Sequence, residues 1–316
     1  MEPIHVAVGV LSDGAGRVLI SRRAEGTHQG GLWEFPGGKV EEGEDLARAL
    51  DRELQEELGI RVRVSEPLIR VPHRYPGRSV LLDVHSILEW AGEPSAREGQ
   101  PLRWVLPADM TGLDFPAADR PIINALRLPD RYMITGEDPQ DATRFLGRLD
   151  EALSRGIRLV QFRAPRLPLA SYRALAREVQ DHCHSRGVQV LFNTEPSVAQ
   201  ELGGDGVHLT SRHLAELRER PLPSGKWVAA SCHSRMELEQ ARVLGVDFVV
   251  LSPVKTTRTH PQARPMGWER FSALARVAGV PVYALGGMSP ADLLQSRQAG
   301  GQGIAAIRGL WENPYG

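Results

Sequence analysis

The sequence predicts an α/β protein with two domains, a mixed α/β domain over residues 1–128 and a compact (β/α)8 barrel over residues 131–316. Two observations predict this division. The N-terminal part combines a few apolar strands with one strongly acidic amphipathic helix. In the rest of the chain, short apolar strands alternate with amphipathic helices. A length of 316 residues suits two domains of ordinary size.

Turn residues and apolar segments define the elements of the first domain. In chain order, the predicted elements are a strand at 6–11, a turn at 13–16, a strand at 18–20, a helix that includes Leu46 to Leu58, a strand at 80–88 and a helix that begins at 121–126. The turn sequence Asp-Gly-Ala-Gly between two apolar segments predicts a β-hairpin. A polar, proline-containing segment at 127–131 predicts the domain boundary.

Eight short apolar segments predict the strands of the second domain. In chain order they are 132–135, 159–162, 188–193, 206–209, 227–232, 248–252, 280–285 and 303–307. Helical segments between most neighbouring pairs favour parallel strands, because a parallel connection must cross back over the sheet. This pattern favours a closed barrel, and a doubly wound open sheet is the alternative.

The acidic helix carries the most informative chemistry of the chain. Four leucines spaced by four residues give it an apolar stripe that packs on a core. Glu53, Glu56 and Glu57 place three carboxylates within one turn. A hard divalent cation is the simplest partner for such mutually repelling groups. Gly37 and Gly38, just before the helix, allow close backbone approach.

The stretch from Gly38 to Ile60 resembles the Nudix box, G-x5-E-x7-R-E-U-x-E-E-x-G-U, and fills every fixed position of it. A pattern with so many fixed positions is highly specific. The resemblance implies an α/β/α sandwich built on a mixed sheet. It also implies hydrolysis of a nucleoside diphosphate linked to another group, with Mg2+ or Mn2+ as the cofactor.

Metal-assisted phosphoryl chemistry requires a cation site and an activated water. Glu53, Glu56 and Glu57 are the predicted cation ligands, and Glu53 is alternatively the general base. Arg52 is expected to orient the acidic side chains through charge-assisted hydrogen bonds. Glu44 is expected to cap or pair near the start of the helix.

Beyond this motif, the first domain is similar to the MutT branch of the Nudix family, the 8-oxo-dGTP diphosphatases. The resemblance rests on Arg22-Arg23, His28, the run Trp33 to Gly38, Arg78, the run Arg97 to Pro101 and the run Phe115 to Asp119. It implies that Arg23 and His28 contact the nucleotide, that Phe35 packs near the base, that the Gly37 carbonyl and Glu57 hold metal, and that Glu98 adds a carboxylate. The substrate-binding residues expected in this domain are Arg23, His28, Glu34, Phe35, Pro36, Arg78 and Asp119.

Asp119 departs from the bacterial pattern, which has asparagine at this position. An amide both donates and accepts, so it can read the C6 oxo group and the N7–H of 8-oxoguanine together. An ionised carboxylate only accepts, whereas a protonated one in a dry pocket does both. Selection of a different base, such as an oxidised adenine, is the alternative.

In the second domain, polar residues occur where the predicted strands end, and we expect them at the barrel rim, where sites are built. They are Gln161, Arg163, Asn193, His208, His233, Ser252, Gly286, Gly287 and Arg308. The pair Gly286-Gly287, between a strand and a helix, is the predicted phosphate cradle.

This domain resembles the thiamine phosphate synthase/TenI superfamily. The matching segments are Val160 to Arg163, Gly204 to Leu209, Ser231 to Ser234, Ser252 to Val254 and Ala284 to Met288. Three expected synthase positions differ: Asn193-Thr194 replaces an asparagine-aspartate pair, the segment 210–213 lacks an acid, and Ala164-Pro165 replaces a lysine. His233 fits the TenI branch, in which a histidine at this position acts as acid and base in thiazole tautomerisation.

Composition limits the partners and the location of the chain. A net charge of −1 without a basic patch argues against a polymeric nucleic acid, so the expected substrate is a small nucleotide. The resemblance of the barrel to the thiamine phosphate synthase/TenI superfamily implies a thiazole or thiamine phosphate as its ligand. Two cysteines and the lack of an 18-residue apolar run favour a cytoplasmic location without membrane contact.

Three functions follow. The first is hydrolysis of an oxidised purine nucleoside triphosphate to the monophosphate and pyrophosphate, which sanitises the nucleotide pool. The second is hydrolysis of a thiamine-pathway pyrophosphate. The third is a barrel that senses a thiamine intermediate and regulates the Nudix half.

Overall fold

A four-stranded mixed sheet organises the N-terminal unit, which ends at Arg127; the second unit begins at Leu128. The computed structural model describes residues 2–26, 29–136, 139, 141–257 and 262–312. The elements of the first unit are β1 (Ile4–Leu11), β2 (Val18–Arg22), β3 (Trp33–Glu34), β4 (Gly37–Lys39), α1 (Leu46–Leu58), β5 (Arg61–Tyr75), β6 (Arg78–Ala91), β7 (Leu102–Val105) and α2 (Arg120–Arg127). Two short 3-10 helices, Asp109–Gly112 and Ala117–Asp119, precede α2.

The two helices of this unit cover opposite faces of the sheet. The sheet order is β4-β1-β6-β5, and β1 and β6 run parallel while the other neighbours are antiparallel. Leu50, Leu54 and Leu58 of α1 pack with Ala7 and Leu11 of β1 on one face. On the other face, α2 packs against Val8 and Val10 through its buried isoleucines. The predicted α/β/α sandwich on a mixed sheet is therefore confirmed.

Local sequence explains both ends of α1. The Asp45 side chain accepts a hydrogen bond from the Arg48 amide at 2.9 Å and caps the N-terminus. At the other end, Gly59 adopts a left-handed conformation with φ of 72° and its amide bonds back to the last turn. The carboxylates of this helix are thereby held at fixed positions.

The predicted hairpin between residues 6–11 and 18–20 is wrong. The turn forms, since the Asp13 amide bonds to the Arg17 carbonyl at 2.9 Å. Beyond a single bridge between Ser12 and Val18, however, the two strands join different sheets. β1 pairs with β4 and β6, whereas β2 pairs with β3 and β7 in a second, three-stranded sheet.

The second unit is a closed barrel of eight parallel strands, which confirms the (β/α)8 prediction and excludes the open sheet. Its strands are β8 (Arg131–Ile134), β9 (Leu159–Phe162), β10 (Gln189–Phe192), β11 (Gly206–Leu209), β12 (Trp227–Cys232), β13 (Phe248–Leu251), β14 (Val282–Leu285) and β15 (Gly303–Ala306). Its helices are α3 (Ala142–Ser154), α4 (Leu169–His184), α5 (Pro196–Leu202), α6 (Ser211–Glu216), α7 (Arg235–Leu244), α8 (Gly267–Ala278), α9 (Leu293–Gln298) and α10 (Arg308–Trp311), with a 3-10 helix at Pro290–Asp292. Pairing of β15 with β8 closes the ring.

Alternation along the strands separates two apolar layers. Within each strand, every second residue faces outward and packs against the helices, as Val160 and Phe162 of β9 do. The residues between them face inward and fill the barrel, as Tyr132 of β8 and Phe248 of β13 do. Polar side chains at inward-facing positions therefore either lie inside the barrel or line its carboxyl-terminal mouth.

Candidate functional sites

The acidic face of α1 lies directly against the backbone of β4. The Gly37 amide donates to Oε2 of Glu57 at 3.0 Å. A Cβ at Gly38 would lie 2.2 Å from the Glu53 carboxyl group, and a Cβ at Gly37 would lie 2.1 Å from the Ala7 carbonyl oxygen. Gly37 also has a φ of 142°, which side chains rarely adopt. Only glycine at both positions allows this approach.

Arg52 holds the acidic side chains in place, as the sequence predicts. Its Nε and Nη2 donate to the two carboxylate oxygens of Glu44 at 3.0 and 2.9 Å. Its Nη1 donates to Glu53 at 2.8 Å, and Nη2 also donates to the Lys39 carbonyl at 2.9 Å. These bonds raise the pKa of Arg52 and lower that of Glu44. Glu44 therefore anchors Arg52, and Arg52 fixes Glu53.

Glu57 has the most perturbed carboxyl group of this cluster. Burial raises its pKa to about 8, and the neighbouring charges of Glu34, Glu98 and Glu53 add to the increase. The hydrogen bond from Gly37 opposes this shift. Four carboxylates thus act on one another although they come from β3, α1 and the segment before β7.

Gln100, which was not among the predicted site residues, positions Glu98. Its side-chain nitrogen donates to the Glu57 carbonyl at 3.0 Å, and its side-chain oxygen accepts a hydrogen bond from the Glu98 amide at 3.0 Å. The Arg97 amide donates to the same Glu57 carbonyl at 3.1 Å. The segment is therefore tied to the end of α1. The position of Gln100 in the family-like run Arg97 to Pro101, beside Glu98, was the signal that could have found it.

The residues expected to contact the nucleotide form a second group. Arg23 is ion-paired with Glu34, whose pKa is raised by burial. Phe35 stacks on Phe115 with ring centroids 5.7 Å apart, and Pro36 is buried beside it. The guanidinium of Arg78 lies 5.5 Å from the centroid of the Tyr75 ring, and Tyr75 packs against the apolar cluster that contains Phe35. His28 lies outside the described residues.

Asp119 is buried, with only 7% of its surface exposed. Burial raises its pKa to about 8; the charge of Glu34 adds to this shift, and that of Arg23 opposes it. The carboxyl group therefore belongs to the same electrostatic environment as the Arg23–Glu34 pair. At neutral pH it is largely protonated, so it can donate as well as accept a hydrogen bond.

The donor set suits a hard divalent cation, because it consists of carboxylate and carbonyl oxygens with excess negative charge. Across the described residues, however, no three carboxylate, imidazole or thiol groups lie in positions to hold a metal ion together. Glu53 is directed to Arg52 and Glu57 to the Gly37 amide. Glu56 is exposed and lies 3.5 Å from Arg52. The chemistry of the site fits the predicted cation, and these side chains would have to turn to bind it.

In the barrel, two residues expected at the rim lie inside it. Gln161 and His208 are 3% and 2% exposed, so this part of the prediction is wrong. Each is the third residue of a four-residue strand, one layer below the mouth. His208 instead bonds to Tyr132 and Ser231, which the sequence reasoning did not select. Tyr132 and Ser231 occupy inward-facing positions of β8 and β12, and this alternation was the sequence signal that could have identified them.

His233 is exposed, and Nδ1 of its ring lies 2.7 Å from the Ser252 carbonyl oxygen. A carbonyl only accepts, so Nδ1 carries the proton and Nε2 keeps its lone pair. Gly286 and Gly287, after β14, have φ values of 103° and 68°. The helical turn that follows them is already capped, because Asp292 accepts from the Ser289 amide at 3.0 Å. Asp292 is also paired with Lys255.

Comparison with known proteins identifies both halves. The NUDIX domain profile matches residues 7–125, and the thiamine monophosphate synthase profile matches residues 131–310. An 8-oxo-dGTP diphosphatase from Escherichia coli is 36% identical over 127 residues, which are 40% of this chain and 98% of that protein. The enzyme of the same name from Proteus vulgaris is 43% identical over 98 residues, 31% of this chain and 88% of its own length. A putative thiamine-phosphate synthase from Geobacter sulfurreducens is 31% identical over 185 residues, 58% of this chain and 87% of that protein.

The chain belongs to both the Nudix family and the thiamine monophosphate synthase family. Both predicted resemblances are thus confirmed, and the N-terminal unit is a Nudix pyrophosphohydrolase by family. The synthase-like barrel keeps the family fold, but Thr194 stands where the expected asparagine-aspartate pair has its acid, and the segment 210–213 lacks the second expected acid. Asn193 donates its side-chain amide to the His208 carbonyl at 2.9 Å, and Thr210 caps α6. In the described part of the chain, no helix has both the length and the apolar character needed to cross a membrane.

We expect Asp119→Asn to stabilise the Nudix unit increasingly as the pH rises from about 4 to about 8. The pKa of Asp119 is about 8 in the folded chain and 3.8 in the unfolded chain. Between pH 3.8 and about 8, the carboxyl group is therefore mainly protonated in the folded chain and mainly ionised in the unfolded chain. Stability therefore falls as the pH rises through this window, by up to about 1.4 kcal/mol per pH unit for one group. The amide variant lacks this contribution. Urea denaturation of both proteins at several pH values measures the difference, and the exposed Asp109→Asn is the matched control. Equal pH slopes for Asp119→Asn and wild type would contradict the assignment.

Proposed function

We propose that the Nudix unit hydrolyses an oxidised purine nucleoside triphosphate of the 8-oxo-dGTP type to the monophosphate and pyrophosphate, using Mg2+ or Mn2+. Its role would be to remove damaged nucleotides from the precursor pool. The observation that carries this proposal is the packing of the Glu53 and Glu57 carboxyl groups against the Gly37-Gly38 backbone. The similarity to 8-oxo-dGTP diphosphatases supports the choice of substrate.

Glu53, Glu56, Glu57, Glu98 and the Gly37 carbonyl are the groups that would hold the cation. When bound, the cation would neutralise phosphate oxygens and lower the pKa of a water molecule. The contribution of the protein is to hold α1 and the β4 backbone side by side, so that these side chains could turn to a common cation. Through Arg52 it fixes Glu53, which serves either as a ligand or as the general base, and through Gln100 it fixes the segment that carries Glu98.

Recognition of the base falls to the second group of residues. Phe35 is buried and stacks on Phe115, so the pair would supply apolar packing near the base, and Arg23 with Glu34 would supply a charged pair. Pro36, Arg78 and His28 complete the proposed contacts. Protonated Asp119 can donate to one atom of an oxidised purine and accept from another, as an amide would. Its burial thus compensates for the missing asparagine.

A hydrolysis panel tests the proposal. Purified protein with Mg2+ is offered 8-oxo-dGTP, 2-hydroxy-dATP, dGTP, thiamine pyrophosphate and hydroxymethylpyrimidine pyrophosphate, and pyrophosphate or phosphate release is measured. We expect an oxidised purine nucleotide to have the highest kcat/KM. Glu53→Gln should lower kcat by ~100-fold or more, since either a cation ligand or a general base is lost. The exposed Glu42→Gln is the matched control and should leave the rate within a few fold.

Two results would overturn this proposal. Preference for the thiamine-pathway pyrophosphates would favour the second function, in which the Nudix unit serves the chemistry of the barrel. A rate for Glu53→Gln close to wild type, in a variant with an unchanged circular dichroism spectrum, would remove Glu53 from the site.

The discrimination between 8-oxo-dGTP and dGTP should depend on pH through Asp119. Below pH about 8 its carboxyl group is protonated and donates; above that pH it only accepts. We expect the ratio of kcat/KM for 8-oxo-dGTP to that for dGTP to fall above pH 8 in wild type. The ratio cancels any effect of pH on the shared hydrolytic step. In Asp119→Asn the ratio should stay flat, and a parallel decline in both proteins would contradict base reading by Asp119.

We propose acid–base catalysis on a thiazole phosphate as the function of the barrel, with His233 as the catalytic residue and Gly286-Gly287 near the phosphate. The supporting observation is the bond from His233 Nδ1 to the Ser252 carbonyl, which leaves Nε2 as a base. A single base that removes a proton from one carbon and returns it to another leaves the proton count unchanged, as tautomerisation requires.

Proton exchange in D2O, followed by NMR of added thiazole phosphate, tests this role. Wild type should catalyse exchange, and His233→Gln should lose it by ~100-fold or more. His184→Gln is the matched control, since His184 is exposed and bonds to Asp205 at 2.8 Å. Tight binding without exchange would replace the catalytic role with a sensing one, in which the barrel regulates the Nudix unit. Exchange that survives in His233→Gln would rule out the assigned base.

A further inference from the structure

Four polar side chains form a continuous hydrogen-bonded row inside the barrel. The Gln161 amide nitrogen lies 3.3 Å from the Tyr132 hydroxyl, which lies 3.1 Å from Nδ1 of His208. On the other side of the imidazole, Nε2 lies 2.9 Å from the Ser231 hydroxyl. Tyr132, Gln161 and His208 are buried, whereas Ser231 is partly exposed. The row therefore leads from the closed interior to the open mouth.

Donor and acceptor counting gives this row a direction. The amide nitrogen of Gln161 only donates, so the Tyr132 oxygen accepts from it. Among the described residues, Nδ1 of His208 is the one acceptor within reach of the buried phenolic proton, so Tyr132 donates and Nδ1 accepts. A neutral imidazole with an accepting Nδ1 carries its proton on Nε2. Nε2 therefore donates to the Ser231 oxygen.

The surroundings of His208 keep the imidazole neutral, as this direction requires. Burial lowers the pKa of His208 to about 3, and the nearby guanidinium of Arg163 lowers it further. A cationic ring would have to donate from both nitrogens, and the Tyr132 hydroxyl would then have to turn its proton away. Tyr132 itself is a weak acid here, because burial raises its pKa.

We propose that Gln161, Tyr132 and His208 are positioning residues that fix Ser231 as a hydrogen-bond donor at the mouth of the barrel. The Ser231 oxygen accepts from His208, so its own proton points to the bound ligand. A serine and a histidine 2.9 Å apart resemble a nucleophile and its base. The direction of the row assigns the opposite role: His208 does not take the serine proton, and Ser231 presents it to an acceptor oxygen of the ligand, such as a phosphoryl or carbonyl oxygen.

Two-dimensional 15N NMR of the full chain labelled in histidine tests the assignment, because the two ring nitrogens of a neutral histidine differ strongly in shift. We expect His208 to show an unprotonated Nδ1 and a protonated Nε2. Its signal is recognised because it does not titrate at mildly acidic pH and because it is absent in His208→Gln. A protonated Nδ1 with an unprotonated Nε2 in wild type would overturn the proposal and make Ser231 an activated hydroxyl.

Tyr132→Phe supplies the second arm of the test. It removes the proton donated to Nδ1, so the Nδ1 signal should move towards the protonated region while Nε2 moves the opposite way. Tyr283→Phe is the matched control, since Tyr283 lies in the same interior. Its hydroxyl donates to the Pro129 carbonyl at 2.5 Å and not to His208. Unchanged His208 signals in Tyr132→Phe would show that Tyr132 does not set the tautomer. If Tyr132→Phe fails to fold, the wild-type spectrum alone decides.

Discussion

The close approach of the β4 backbone to the acidic face of α1 is the constraint on which the Nudix site depends. Any side chain at Gly37 or Gly38 would overlap the Ala7 carbonyl or the Glu53 carboxyl group. The approach allows the Gly37 amide to bind Glu57 and brings a strand backbone beside two carboxylates of the helix. Buried leucines on the opposite face of α1 prevent the helix from moving away to relieve the repulsion. Packing of the core thus holds charges together that would separate in water.

The charges of the site are divided unevenly. Arg52 compensates Glu44 and Glu53 through hydrogen bonds of 2.8 to 3.0 Å. Among the described residues no cation pairs with Glu57; the backbone amide of Gly37 donates to it, and the charges of Glu34 and Glu98 raise its pKa further. Ionisation of Glu57 is therefore costly on the side of α1 that faces β3 and the segment with Glu98, and a bound cation would lower that cost.

Local features of the chain made α1 predictable, and non-local pairing limited the prediction of the sheets. The leucine spacing, the Asp45 cap and the Gly59 terminator all act within a few residues. By contrast, β5 extends from Arg61 to Tyr75 although it contains two prolines and many polar residues, because its long partner β6 determines its conformation. The hairpin prediction failed for the same reason, since the partner of β1 is the distant β6. The Nudix motif identified the carboxylates, but not the role of Gln100, which depends on two contacts across the fold.

In the barrel, the sequence placed polar residues near the ends of strands but did not give their depth. With four-residue strands, a shift of two positions along the strand separates a buried residue from one at the mouth. His208 therefore serves the interior while Ser231, one layer above it on the next strand, reaches the opening. Asn193, the member of the expected asparagine-aspartate pair that this chain keeps, donates its amide nitrogen to the His208 carbonyl and so supports the buried row. Carboxylates that repel one another concentrate in the first unit, and neutral hydrogen bonds of fixed direction organise the interior of the second.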